Sequence, residues 1–148
     1  MNSVLFALII AAVAGIAMAV QGSLNAVLSK FIGLAETTFV VHLIGTLIVV
    51  GALFIFRISS ENLIHWKEAP WYVYLGGALG VLIIFVVAFA LPRAGVAKAT
   101  TAIIIGQVTM AMLIDHFGLF GIEKAPVSWW KGLGLAFLAA GGYFMLRK

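Results

Sequence analysis

Two amides, Gln21 and Asn25, stand one helical turn apart in "AMAVQGSLNAVLSK", a stretch otherwise fit for hydrocarbon. At 100° per residue they share a face with Met18 and Gly22. The spacing recurs in two further apolar runs. Thr38, His42 and Gly45 fall on one face of the second run, and Thr100 and Gln107 lie about 20° apart on the fourth, with Ile103 between them. Amide, hydroxyl and imidazole groups donate and accept hydrogen bonds without fixed charge. At membrane depth such groups face protein or a wet cavity. For each residue singly, an interhelical hydrogen bond that fixes a bundle is sufficient explanation. Such bonds contribute typically less than about 1 kcal/mol, a weak reason to bury several amides. Taken together, the three stripes point to a shared hydrated cavity, with Gln21, Asn25, His42, Thr100 and Gln107 as its substrate-binding residues. His42 carries a choice of its own. It is either a neutral, hydrogen-bonded packing residue or a proton carrier, since an imidazole with an ordinary pKa of about 6.5 titrates near neutrality.

No other constellation of reactive groups emerges. Ser23 and Ser29 lack a His–Asp arrangement, no two carboxylates stand together on one element, and no glycine loop could cradle a phosphate. Asp115 and His116 are neighbours whose side chains diverge on a helix. There is no cysteine and no H-x-x-x-H spacing, so neither a metal nor any other cofactor is expected. An enzyme is therefore not expected. Glu36 opens the second run, where a carboxylate suits the helix dipole, and Asp115 stands at a helix end. With no deep acid, a proton-coupled pump for cationic drugs is disfavoured. Lys98 lies opposite Gln107 near a helix start, where its long stem can snorkel to the headgroups.

The elements that must position these groups are legible from hydropathy. Hydrophobic residues make up 64% of the 148 and charged ones only 9%, far below the roughly 25% of an average soluble domain. With a mean hydropathy of +1.20, the solvent must be lipid. The net charge of +4 comes from Lys and Arg scattered singly, which gives no nucleic-acid surface and suits contact with anionic lipid. Five apolar runs, about 3–28, 37–56, 71–91, 96–114 and 128–146, each approach the roughly 20 helical residues that cross a bilayer. The ten-residue alternation of a barrel is absent. The expected fold is all-α, a single membrane domain over 1–148 with five spans. Between the runs, "KFIGLAE" supplies Gly33, "RISSENLIHWKEAP" is polar, and "LPRAG" puts Pro92 and Gly95 in a tight connection. "DHFGLFGIEKAPVS" ends in Ser128, a fitting N-cap.

Run one is not expected to be a cleaved leader. "AMA" at 17–19 fits a cleavage site, but no Lys or Arg precedes Lys30. Small residues at helical spacing, Ala7-Ala11-Gly15-Ala19, Gly76-Gly80 and Ala136-Ala140, let helix backbones approach closely in lipid. Run one, from Ser3 to Leu28, is about 39 Å long, more than the hydrocarbon core. Asn25 is thus within reach of the headgroup zone as well as of a cavity.

Several motifs are similar to those of YdcZ-type proteins of the drug/metabolite transporter superfamily. They are "GIAMAVQGSLNAVL", "HLIGTL", "PWYVYLGGALG", "LPRAGVAKATTAIIIGQVTMAMLIDHFGLFG" and "GLGLAFLAAGGYFML". The pieces QGxxNAxL and GQxxxxxxIDHFGLFG are far more specific than hydropathy, and the likeness covers nearly the whole chain. It implies a five-helix unit, one half of an inverted-repeat transporter bundle, moving a small polar or amphipathic metabolite across the inner membrane. Gln21, Asn25, Gln107 and Asp115 fall on matching motifs. His42 departs from them, because relatives often have a smaller residue there. The resemblance names no substrate.

The expected working unit is a homodimer, or a pair with a five-helix paralogue. An odd number of spans puts Arg57, Lys67, Lys124 and Lys131 on one side, and Lys30, Arg93, Lys98, Arg147 and Lys148 on the other. Orientation follows Lys/Arg asymmetry, and four against five instructs the insertion machinery little. That balance predicts copies inserted both ways up. Two rival classes stay open, a small dual-topology ion channel, which needs a continuous narrow pore, and a non-transporting scaffold with a dry interior.

Overall fold

A computed structural model describes residues 3–56 and 65–147. Arg57 and Lys148, both part of the charge balance above, lie outside the described residues. Five α-helices account for nearly all of the described chain: α1 (Ser3–Ile32), α2 (Leu34–Ile55), α3 (Leu75–Ala94), α4 (Val96–Phe117) and α5 (Trp129–Leu146). A 3-10 turn, Trp71–Tyr74, leads into α3. No strand occurs among the described residues. Helices form because hydrocarbon offers no partner for backbone N–H and C=O groups, which must pair within their own segment. Val4–Ile32, Leu34–Ile55, Trp71–Ala94 and Val96–Phe117 are long and apolar enough to cross a membrane. The fifth helix has 18 residues, about 27 Å, and its first turn holds Trp129, Trp130 and Lys131. Those are interfacial residues, so its purely apolar stretch is shorter than the sequence pattern suggested.

The helices also run further than their hydropathy implies. "KFIGLAE" was expected to be a loop, yet the α1–α2 connection is Gly33 alone, at φ 91° and ψ 165°. Its N–H donates to the Ser29 carbonyl at 3.1 Å, and its own carbonyl accepts from the Thr37 N–H at 3.1 Å. The helical ladders therefore run up to the turn from both sides. Gly95 joins α3 to α4 in the same way, at φ 86° and ψ 150°, with the Ala99 N–H donating to its carbonyl at 3.0 Å. This region of backbone space is open essentially to glycine alone. Pro92 was expected in that connection. It lies inside α3, two residues before its end. A proline there deprives the Ala88 carbonyl of its ladder donor. Beside it, the Arg93 guanidinium sits 3.6 Å from the Phe89 ring centroid and donates to the Phe89 carbonyl at 2.7 Å. α1 is continuous through residues 17–19.

By its contacts the chain divides into two compact units, Met1–Arg93 and Ala94–Lys148, each described here by itself. In the first, Gly22, Asn25 and Ala26 of α1, Thr37 and Thr38 of α2, and Ala88 and Leu91 of α3 are buried. A Cβ at Gly22 would lie 3.0 Å from Val87 Cγ1 and 3.5 Å from Leu91 Cδ2, so α1 meets α3 there. In the second, a Cβ at Gly142 would collide with Ile105 Cδ1, which marks the close approach of α5 to α4. The expected small-residue lines are not these seams. Ala7, Ala11, Gly15, Ala136 and Ala140 are exposed, and nothing lies within contact of a Cβ at Gly15 or Gly76. Large apolar side chains such as Leu8, Phe39, Leu47 and Phe137 are exposed as well, as befits a chain whose solvent is hydrocarbon.

Beyond α4 the chain turns through Gly118, at φ 64°, whose N–H caps the Ile114 carbonyl. The Ala125 N–H donates to the Asp115 carbonyl at 2.8 Å, and the Val127 N–H donates to His116 Nδ1 at 3.1 Å. Asp115 and His116 thus hold the return of the chain toward α5. Ser128 caps that helix, its hydroxyl accepting from the Lys131 N–H at 3.3 Å.

Candidate functional site

The site grows from α2. Thr37 and Thr38 return their hydroxyls to the carbonyls of Gly33 and Leu34, at 2.7 and 2.9 Å. Each is thereby satisfied within its own helix, which allows burial in an apolar setting. One turn on, His42 Nδ1 lies 2.8 Å from the Thr38 carbonyl. A carbonyl only accepts, so Nδ1 carries the hydrogen, and in the neutral ring Nε2 holds the free lone pair. Gly80 of α3 stands opposite, where a Cβ would lie 3.6 Å from Nε2. Glycine therefore leaves the lone pair uncovered.

His42 lines a cleft of about 500 Å³ within the first unit. Gln21 enters it from α1, and His42, Gly45 and Thr46 from α2. Val41, Val49, Val50 and Ile84 complete the lining. A volume of that order suits a small-molecule ligand. The cleft brings together Gln21 and His42, two of the five residues singled out in the sequence. Asn25, one turn beyond Gln21, is buried at 5% exposure and forms no side-chain hydrogen bond among the described residues. It stands beside the α1–α3 seam, outside the lining of this cleft. Thr100 and Gln107 belong to the second unit. Thr100 is half-buried, and Gln107 is exposed halfway along α4.

Thr46 was not singled out in the sequence. Its signal was present in "HLIGTL", four residues after His42 and therefore on nearly the same face. A second cleft, of about 480 Å³, lies between α4 and α5 and is lined by Thr101, Ile104, Phe137, Leu138, Gly141, Gly142 and Met145. Its one hydroxyl, that of Thr101, is already bonded to the Ala97 carbonyl at 2.8 Å.

The family model described as "putative inner membrane exporter, YdcZ" matches residues 6–144. No curated protein and no solved structure matches the chain. With nearly its whole length matched and its described residues almost entirely helical, the chain belongs to the YdcZ family of the inner membrane and is a multi-pass protein of the transporter class.

Proposed function

We propose that this protein is one half of a transporter for a small polar or amphipathic metabolite, and that two copies, or one copy and a five-helix paralogue, assemble in opposite orientations around the substrate. The observation that carries this reading is the meeting of Gln21 and His42 in one cleft, with an unshared imidazole lone pair inside a membrane-spanning helix. Asn25, Thr100 and Gln107 belong to the same proposal. Asn25 has an amide without a partner among the described residues, and Gln107 presents its amide at mid-span. Polar groups so placed mark substrate paths in membrane proteins. Transporters built on inverted repeats hold their substrates near the bilayer midplane between the repeats, and one chain here supplies one repeat.

The test starts with the purified protein and a metabolite library in a thermal-stability screen. A molecule present at about 100 times its Kd stabilises by about 2.7 kcal/mol. Any hit is then followed in liposomes. Saturable flux accelerated by substrate on the far side supports the transporter. Unsaturated ohmic current would make the protein a channel, and the absence of both binding and flux would leave it a scaffold.

A further inference from the structure

Six threonines lie among the described residues. Thr37, Thr38, Thr101 and Thr109 each give their hydroxyl to the carbonyl four residues back, the usual refuge of a hydroxyl in hydrocarbon. Thr46 and Thr100 do not, and of the two Thr46 stands near the middle of its helix, α2. Thr46 lines the cleft one helical turn from His42, whose Nε2 has no hydrogen-bond partner among the described residues. A third polar group, the Gln21 amide, enters from α1. Among the described residues, no Asp, Glu, Lys or Arg lines the cleft, and no Phe, Tyr or Trp does. The walls are the aliphatic side chains of Val41, Val49, Val50 and Ile84.

We propose that this cleft selects uncharged aliphatic molecules that donate a hydrogen bond, such as alcohols and primary amides, received at His42 Nε2 and anchored by the Thr46 hydroxyl. The selectivity follows from what each group can offer. In the neutral ring Nε2 is an acceptor only, because the Thr38 carbonyl holds the ring hydrogen on Nδ1. A ligand that merely accepts hydrogen bonds leaves this lone pair unpaired in an apolar surround, which costs free energy. A ligand that is an ion finds no countercharge, and desolvation disfavours it. Gly80 leaves space beside Nε2 that a methyl group there, in van der Waals contact at 3.6 Å, would fill. This inference rests on the cleft being the binding site of the proposed transporter, but it concerns binding alone.

The experiment places the full-length protein in lipid nanodiscs with isotope-labelled imidazole nitrogens, at about pH 8, where an ordinary histidine is neutral. Hexanol, hexanamide, methyl pentyl ether, hexylamine and hexanoate are the probes. They share a chain length and differ in their polar head. The histidine nitrogen spectrum reports the His42 tautomer directly, and a hydrogen bond to Nε2 moves its resonance. Hexanol and hexanamide are expected to shift it saturably, while the ether, the ammonium ion and the carboxylate do not. Thr46→Val, nearly isosteric, is expected to weaken hexanol about tenfold, the change that corresponds to one lost hydrogen bond. Gly80→Ala is expected to weaken both active probes without altering the tautomer. Equal response to the ether, or hexylammonium binding as well as hexanol, would overturn the proposed selectivity. So would a Thr46→Val protein that binds hexanol normally. Selective binding without any flux in liposomes would refute the transporter reading and leave this inference standing. Flux of a substrate that is insensitive to Thr46→Val and leaves the imidazole spectrum unmoved would do the reverse.

Discussion

The imidazole of His42 is oriented by its own helix. A hydrogen bond to a carbonyl four residues back needs no partner helix, so it forms wherever α2 forms. What the rest of the first unit supplies is the uncovered side, through Gly80 and the cleft behind it. This division explains what was legible in the sequence. Helical spacing placed His42 and Gln21 on polar faces, but spacing cannot tell which groups are already satisfied. Thr38 shares the stripe and spends its hydroxyl on Leu34, whereas Thr46 keeps its own free. Asn25 shared a face with Gln21 in the sequence, yet it is the deeply buried member of the pair, three residues beyond Gly22, where α1 meets α3. Gln107 offers the clearest single-residue test of the transport site. Gln107→Leu removes an amide that makes no hydrogen bond among the described residues, so thermal stability should change little. Transport should be abolished. A variant whose flux falls only in proportion to its loss of folded protein would assign Gln107 to holding the bundle together, and normal uptake by a folded variant would remove it from the site.

Helix ends were harder to read than helix centres, and for a physical cause. Hydropathy marks where lipid stops, whereas helices stop where the backbone leaves helical dihedrals. Lys30 was expected in the loop between the first two runs but is helical, because a single glycine at Gly33 reverses the chain. That turn and its twin at Gly95 make separable predictions. Gly95→Ala meets no neighbour within contact of its Cβ, so its cost is the backbone strain alone, about 1–3 kcal/mol. Gly33→Ala adds a contact of 2.5 Å between the new Cβ and Glu36 Oε2, at the end of a side chain that can swing away. The two substitutions should therefore destabilise by similar amounts in a denaturation assay. A far larger loss at Gly33 would mean that Glu36 is held in place. Packing between helices gives a sharper test. Gly142→Ala drives a Cβ into Ile105 Cδ1. Overpacking of this kind typically costs about 1–3 kcal/mol. Ile105→Val removes that methyl, so the double variant should recover most of the loss. If the two substitutions simply add, the α4–α5 seam lies elsewhere.

At the scale of the whole molecule, the question is how a chain that belongs to a family of inner-membrane exporters completes a transport path. Inverted-repeat transporters solve it with two halves facing opposite ways, and the proposed function makes this five-helix unit one of them. Its sequence gives insertion little direction, with Arg57, Lys67, Lys124 and Lys131 on one side of the expected topology and Lys30, Arg93, Lys98, Arg147 and Lys148 on the other. Trp66, Trp71, Trp129 and Trp130 all belong to the first side. There Lys67 lies 5.7 Å from the ring centroid of Trp66, and the Tyr74 hydroxyl donates to the Trp66 carbonyl, so Trp66 and Tyr74 meet at the entry to α3. Tryptophans favour both membrane interfaces, and a single orientation would leave one interface without them. An antiparallel pair would furnish both. Added lysines test this without touching the cleft. A variant with two extra lysines in the connection between α2 and α3 should insert with that side toward the cytoplasm, because positive loops stay there. A second variant with two extra lysines after α5 should insert the other way. Labelling of a single engineered cysteine near the C-terminus reads the orientation of each. Each variant alone should be inserted, folded and inactive, and co-expression of the two should restore transport. Full transport by either variant alone, once labelling has shown it to sit one way only, would exclude the antiparallel pair. Failure of the co-expressed pair, with both orientations confirmed by labelling, would instead require a partner of different sequence.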